Sequence, residues 1–441
     1  MLPRCRACGL SLRLQSLLPA VALLAGCGTE PPPPGVLTVL VDEVPSALAA
    51  TTLSLSGTVT RTPVLAVPIT VHAAGGVQAV EVLASSSGTF SLDVQLTPNV
   101  VSTITVTADD STGSTSEATT LQVRQDSRGP TVLSLSPVYG TANVTPGQAI
   151  VVTFDQAIDP SHLELIGVRR GGLPLQSSLA IAADSLTLTI TPSAAAPGAL
   201  YDVTINGVRD GLGNVQTALA STCYTTAPPT GASSITDPQG DVYYAGEVGA
   251  ITPSDFLDAS VSVTGSLLDV LLRFTSSRVV RTSGANALFA ALDMDYDRSP
   301  ATGWRPIKDI AFEGVLPVSG AGADYGIFLT QVAQLGDSAV FGQYTAEGTV
   351  QVAGTFVPVT CGNTVGFTLD NGLLLAPLTF NLVGYFETAD ANGAFGDAGP
   401  DAGVYPVTLP TAAAPPTSGA PVGGDRGAQR FVRLPRPHRF R

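Results

Sequence analysis

Polar and apolar residues alternate along most of this chain. In Thr103-Ile-Thr-Val-Thr107 and Ser185-Leu-Thr-Leu-Thr-Ile190 every second residue is apolar. A period of two sends successive side chains to opposite faces of an extended backbone, so each run predicts a half-buried strand. The 3.6-residue period of an amphipathic helix is almost absent. Turn signals such as Ala74-Gly-Gly76, Ser85-Ser-Ser-Gly88 and Asp109-Asp-Ser-Thr-Gly113 separate the runs. Between residues 36 and 127 strands are predicted near 52–59, 69–72, 77–83, 89–94, 103–108 and 119–124. Short strands at this spacing predict a β-sandwich.

The same rhythm continues over residues 128–228. After a Pro/Gly/Ser-containing linker at 229–233 it runs on through 234–410, with strands predicted near 258–264, 267–275, 287–292, 325–331, 340–344, 364–369 and 378–387. The predicted fold class is therefore all-β, with three tandem β-sandwich domains, two of Ig-like size and one larger. Residues 411–441 begin as Ala/Pro/Gly low complexity and are expected to be disordered. Arg426, Arg430, Arg433, Arg436, Arg439 and Arg441 give this tail a basic end. It is read as an unstructured extension, with contact to an anionic surface as the alternative.

The N-terminus departs from this pattern. Arg4, Arg6 and Arg13 precede the apolar run Leu17–Ala25, with no acid among residues 1–15. The run is too short to span a bilayer as a helix and has the order of a secretory signal peptide, placed at residues 1–26. Leu24-Ala-Gly-Cys27 resembles the lipobox of bacterial lipoproteins at every position. The resemblance implies cleavage before Cys27, diacylglycerol on its thiol, and acylation by palmitate or a similar chain. The implied partner is membrane lipid, and the implied location is the bacterial cell envelope, at the outer membrane or cell surface. Residues 27–35, with four consecutive prolines, form a stiff spacer behind that anchor.

Charge and cysteine content narrow the functions. The 441 residues carry a formal net charge of −14, which argues against a nucleic-acid partner for the folded body and suits divalent cations. Cys5 and Cys8 form a C-x-x-C inside the segment expected to be removed, so a zinc or redox role fails on context. Cys223 and Cys361 remain in the folded body. They either pair in an oxidising compartment or stand as two buried thiols; the second reading is favoured here.

Further resemblances rest on short blocks. Ser87-Gly-Thr-Phe-Ser-Leu92 and Ile104-Thr-Val-Thr-Ala-Asp-Asp110 resemble bacterial Ig-like repeats of the adhesin kind. Pro130–Pro137, Ala149–Asp155 and Tyr201–Asn214, in that order, resemble the SbsA-type Ig-like domain of surface-layer and secreted proteins. The acidic blocks of the third unit, Thr236-Asp-Pro-Gln-Gly-Asp241 and Leu292-Asp-Met-Asp295, resemble β-sandwich modules of the DOMON and family 9 carbohydrate-binding class. Together they imply a non-enzymatic envelope protein whose Ig-like modules form a stalk presenting a binding module. The expected partner is a glycan or another envelope protein. The alternative is a carbohydrate-binding accessory of a polysaccharide-degrading system.

Catalytic chemistry finds little support. Outside the tail the histidines are His72 and His162, in different sandwiches, and no G-x-S-x-G, H-E-x-x-H or P-loop occurs. Asp293, Asp295 and Asp297 stand at i, i+2 and i+4, the first ligand positions of an EF-hand-like loop, and hard carboxylate oxygens suit Ca²⁺. The EF-hand pattern then fails, because Arg298 stands at the turn glycine and Trp304 at the closing glutamate. A structural Ca²⁺ is therefore expected to draw further ligands from elsewhere, with Asp237, Asp241, Asp309, Asp397 and Asp401 as candidates. The competing reading is a solvated acidic turn screened by Arg298 and Arg305. Trp304 and Tyr296, with Tyr243 and Tyr244, are candidate sugar-stacking residues if they share an exposed face, whereas scattered aromatics more often fill cores.

Overall fold

A computed structural model describes residues 35–230, 232–240, 242–246, 255–276, 279–280, 287–299, 301–313, 315–329, 339–370, 379–389, 393–400, 404–409 and 431–432. The regular structure of the described residues is strand apart from one short helix, as the alternation predicts. Two compact units divide between Asp126 and Ser127.

The first unit is one sandwich. One sheet has the order Val36–Val41, Thr52–Thr62, Thr89–Gln95. The other has the order Ala47–Leu48, Thr119–Gln125, Val101–Asp110, Ile69–Ala74, Val80–Leu83. Along Thr52–Thr62 buried and exposed residues alternate, so Leu53, Leu55 and Val59 enter the core while Ser54, Ser56 and Thr58 meet water. They pack with Val71, Phe90, Val94, Ile104, Val106 and Val123 between the sheets. Burial of such apolar faces is what holds a sandwich of this size.

The second unit holds two sandwiches. In the first of them, Thr141–Val144, Ala220–Thr226, Leu200–Ile205, Gly167–Arg170 and Leu173–Leu175 form one sheet. Ser177–Ile181, Thr187–Pro192, Ile150–Phe154 and Val132–Ser136 form the other. Their core includes Val152, Phe154, Leu188, Ile190, Tyr201, Val203 and Tyr224.

The larger sandwich has a five-stranded sheet of order Ser233–Thr236, Phe256–Thr264, Leu267–Phe274, Thr364–Asp370, Val359–Cys361. It faces a sheet ordered Tyr243–Gly246, Gly393–Gly399, Thr379–Ala389, Ala287–Asp295, Tyr325–Phe328, Ala339–Tyr344, Val350–Phe356, Phe431–Val432. Phe256, Leu272, Leu292, Met294, Phe367 and Phe386 meet between the two sheets.

One expectation needs correction. Cys223 and Cys361 are not separate thiols: they form a disulfide with a Cα–Cα distance of 5.8 Å. The two strands meet there in a small apolar cluster in which Leu200, Leu271 and Val359 pack with the cysteines. In the tail, Phe431–Val432 pairs antiparallel with Val350 and Gln351. Most of the tail, the signal segment with Cys27, Asp241 and Asp401 lie outside the described residues.

Candidate metal centre

The aspartate cluster starts on Ala287–Asp295, an inner strand between Thr379–Ala389 and Tyr325–Phe328. Alternation decides where each side chain goes. Ala290, Leu292 and Met294 enter the inter-sheet core. Ala291 faces the opposite side, where Ile307, Ala311, Phe312, Phe328, Tyr344 and Tyr385 make a second apolar layer. Asp293 points to that layer: its Oδ1 accepts from the Tyr344 hydroxyl at 2.6 Å and its Oδ2 from the Ile307 N–H at 2.6 Å. Burial pushes the Asp293 carboxyl up to about 7 against these two hydrogen bonds, and nearby Asp309 adds to the rise.

Asp295 and Asp297 lie at the strand end, where the chain turns. Asp295 accepts from Ser299 N at 3.1 Å and from Asn381 Nδ2 at 3.2 Å. Asp297 is exposed and accepts from Ser299 N at 2.9 Å and the Thr302 hydroxyl at 2.7 Å. The turn forms without the EF-hand glycine, because Arg298 itself takes φ +58°. Asp324 joins from the start of the adjacent strand, accepting from Tyr296 N at 2.8 Å. Burial raises the Asp324 carboxyl, with hydrogen bonds from Tyr296 and Asp297 opposing and the charges of Asp297 and Asp295 reinforcing the rise.

One carboxylate oxygen each from Asp295, Asp297 and Asp324 lies within 4.8 Å of the others. Calcium holds oxygens at about 2.3–2.6 Å, so ligands of one ion stand up to about 5 Å apart, and this donor set fits it. The arginines expected to screen the turn are engaged elsewhere. Arg298 Nη2 donates to Val407 O at 3.3 Å, and Arg305 pairs with Glu313 at 2.9 Å. Among the described residues no ion pair reaches Asp295, Asp297 or Asp324.

The other expected ligands are occupied by different work. Asp309 sits in the five-residue helix Ile307–Ala311 and accepts from Ser319 N at 2.8 Å and Ser319 Oγ at 2.7 Å. Asp237 accepts from the Tyr405 hydroxyl at 3.0 Å. Asp397 accepts from Phe256 N at 2.6 Å and so ties one sheet to the other. Asp293 and Asp309 therefore leave the expected ligand set, and Asp324 enters it. Sequence spacing gives no sign of Asp324. It becomes a neighbour only because Met294 pairs with Tyr325.

The aromatic candidates separate as well. Trp304 packs into the outer layer with Tyr243 and Phe312. Tyr296 packs toward the inter-sheet core, 6.4 Å from the Tyr325 ring. They lie against different layers and make no common platform. His72 is held by Asp109 and by Glu81, the latter at 3.3 Å, so both ring nitrogens face carboxylates. His162 pairs with Asp159 at 2.9 Å.

Residues 126–226 match the family model of a bacterial Ig-like domain. No curated protein matches the chain. Among solved structures, the chain is similar to an I-band fragment of titin spanning I67–I69, at 9% identity and a TM-score of 0.28, with 86% of this chain and 99% of that one covered. A bacterial ice-binding adhesin studied for host cell surface retention aligns at 13% identity and a TM-score of 0.29, over 86% and 98% of the two chains. The fibronectin(III)-like modules of Clostridium thermocellum CbhA align at 15% identity and a TM-score of 0.20, over 43% of this chain and 95% of theirs.

Proposed function

We propose that the chain is an exported, lipid-anchored envelope protein without catalytic activity, in which Ig-like sandwiches carry a larger sandwich away from the membrane. The observation that carries this reading is the Cys223–Cys361 disulfide. Disulfides persist in oxidising compartments and are rare in the cytosol. The lipobox-like Leu24-Ala-Gly-Cys27 and the bacterial Ig-like match support the same placement. Anchoring runs through a lipid on Cys27, and location is the outer membrane or cell surface. The larger sandwich engages a glycan or another envelope protein. Asp295, Asp297 and Asp324 hold a structural Ca²⁺ that pins the strand end of Ala287–Asp295 to its neighbour.

Labelled palmitate and membrane fractionation test the anchor. The parent is expected to incorporate label and sediment with membranes, while Cys27→Ser does neither. A parent that stays soluble and unlabelled would refute it.

A further inference from the structure

Within the second unit, the outer face of the five-stranded sheet is covered by the preceding Ig-like sandwich. Arg170 Nε donates to Asp269 Oδ1 at 3.0 Å and its Nη2 reaches Oδ2, with both side chains buried. Thr368 Oγ1 donates to the same carboxylate at 2.7 Å, and Thr368 N donates to Gly171 O at 3.1 Å. Gly171 lies at φ +50°, and a Cβ there would sit 2.5 Å from Thr368 N, so this approach requires glycine. Ser262 Oγ donates to Pro197 O at 3.1 Å, and Gly362 N to the Tyr139 hydroxyl at 3.2 Å. The disulfide closes this docked face. Along the backbone its ends are 138 residues apart; through the sulfurs they are joined directly.

We propose that this bond is a load shunt. Tension entering the Ig-like sandwich along Ala220–Thr226 crosses at Cys223 into Cys361 and leaves along Thr364–Asp370. Residues 224–360, which include the linker and the aspartate cluster, lie outside the tensed path. The buried Arg170–Asp269 pair and the glycine approach hold the two faces in register around the bond, so they carry little force while it is closed. The anchor reading supplies a natural source of tension, but the shunt does not depend on it, because an instrument applies its own load.

Single-molecule pulling on the full chain, held at its two ends, tests this. Fully unfolded, the parent should be shorter than Cys223→Ser/Cys361→Ser by about 450–500 Å, the length of 138 residues at about 3.3–3.6 Å each. Adding a dithiol reductant to the parent, which opens the bond to two thiols as the dithiol closes to its own disulfide, should release the same length without any mutation. Arg170→Leu should leave the unfolding force of the oxidised parent unchanged and lower it in the double-serine background. Equal lengths with and without reductant would overturn the shunt, as would an Arg170→Leu effect of the same size in both backgrounds.

Discussion

Asp110 in the first sandwich and Asp293 in the largest one are both buried carboxyls on strands, yet their surroundings drive them in opposite directions. Burial pushes Asp110 up, but hydrogen bonds from Thr112, Arg61 and Ser114 outweigh it and hold the carboxyl well below the usual carboxylate range. The Arg61 Nε–Asp110 Oδ2 distance is 2.7 Å, with both side chains out of solvent. Asp293 meets a hydroxyl and an N–H but no guanidinium, and burial prevails. Four hydrogen bonds, with the Thr112 hydroxyl contributing most and Arg61 next, outweigh burial at Asp110, whereas two at Asp293 do not. In the second unit a nearby guanidinium does not suffice: Asp202 beside Arg169 and Asp269 against Arg170 are raised, each first by burial, as is Asp324. The first sandwich spends its buried charge on a closed pair. The larger one has Asp269 paired with Arg170 but also keeps Asp293 and Asp324, carboxyls raised by burial that a proton or a metal would neutralise.

The largest expected effect breaks the pair. Asp110→Ala strands the buried Arg61 and should cost the first sandwich about 3–5 kcal/mol, read as the loss of its calorimetric transition or a steep drop in its midpoint. The second unit's transition should not move. Opening the disulfide by Cys223→Ser/Cys361→Ser comes next, at about 2–5 kcal/mol on the second unit alone.

The acids themselves sharpen the contrast through pH. Asp110 is lowered from 3.8, so its contribution is complete above about pH 4 and fades as pH falls below that. Asp293 is raised from 3.8 to about 7, so folding takes up a proton in that window and its stability falls as pH rises from about 4 to 7. The slope is at most about 1.4 kcal/mol per pH unit for one group. Asp293→Asn, which keeps an acceptor for Ile307 N and a donor toward Tyr344, should flatten that slope in a pH series of thermal melts. An unchanged slope would assign it to other carboxyls. Calcium should give the smallest change. At tenfold its dissociation constant, binding adds about 1.4 kcal/mol, seen as a rise in the second unit's melting point that Asp295→Asn/Asp324→Asn abolishes.

Much of the fold was legible because a period of two is a local signal. Thr52–Thr62 and Thr89–Gln95 follow their alternation closely. The strand Gly393–Gly399 was hidden by its glycines, and the helix Ile307–Ala311 is too short to show a period. The candidate site was half legible. Asp295 and Asp297 announce themselves by spacing, but the same alternation sends Asp293 to the outer layer, and Asp324 arrives only through strand pairing. Arg170 and Asp269 stand 99 residues apart and the two cysteines 138. No local pattern encodes such partners. The sequence presents the third sandwich as a module behind a linker, whereas its five-stranded sheet is docked and covalently fastened.

That fastening is the centre of the account, since both export and the load path rest on it. Full-length chain recovered from the envelope, denatured without reductant and treated with an alkylating reagent, should show Cys223 and Cys361 unmodified by peptide mass. Both should become alkylated once a reductant is added. Alkylation of both residues before reduction would contradict the account.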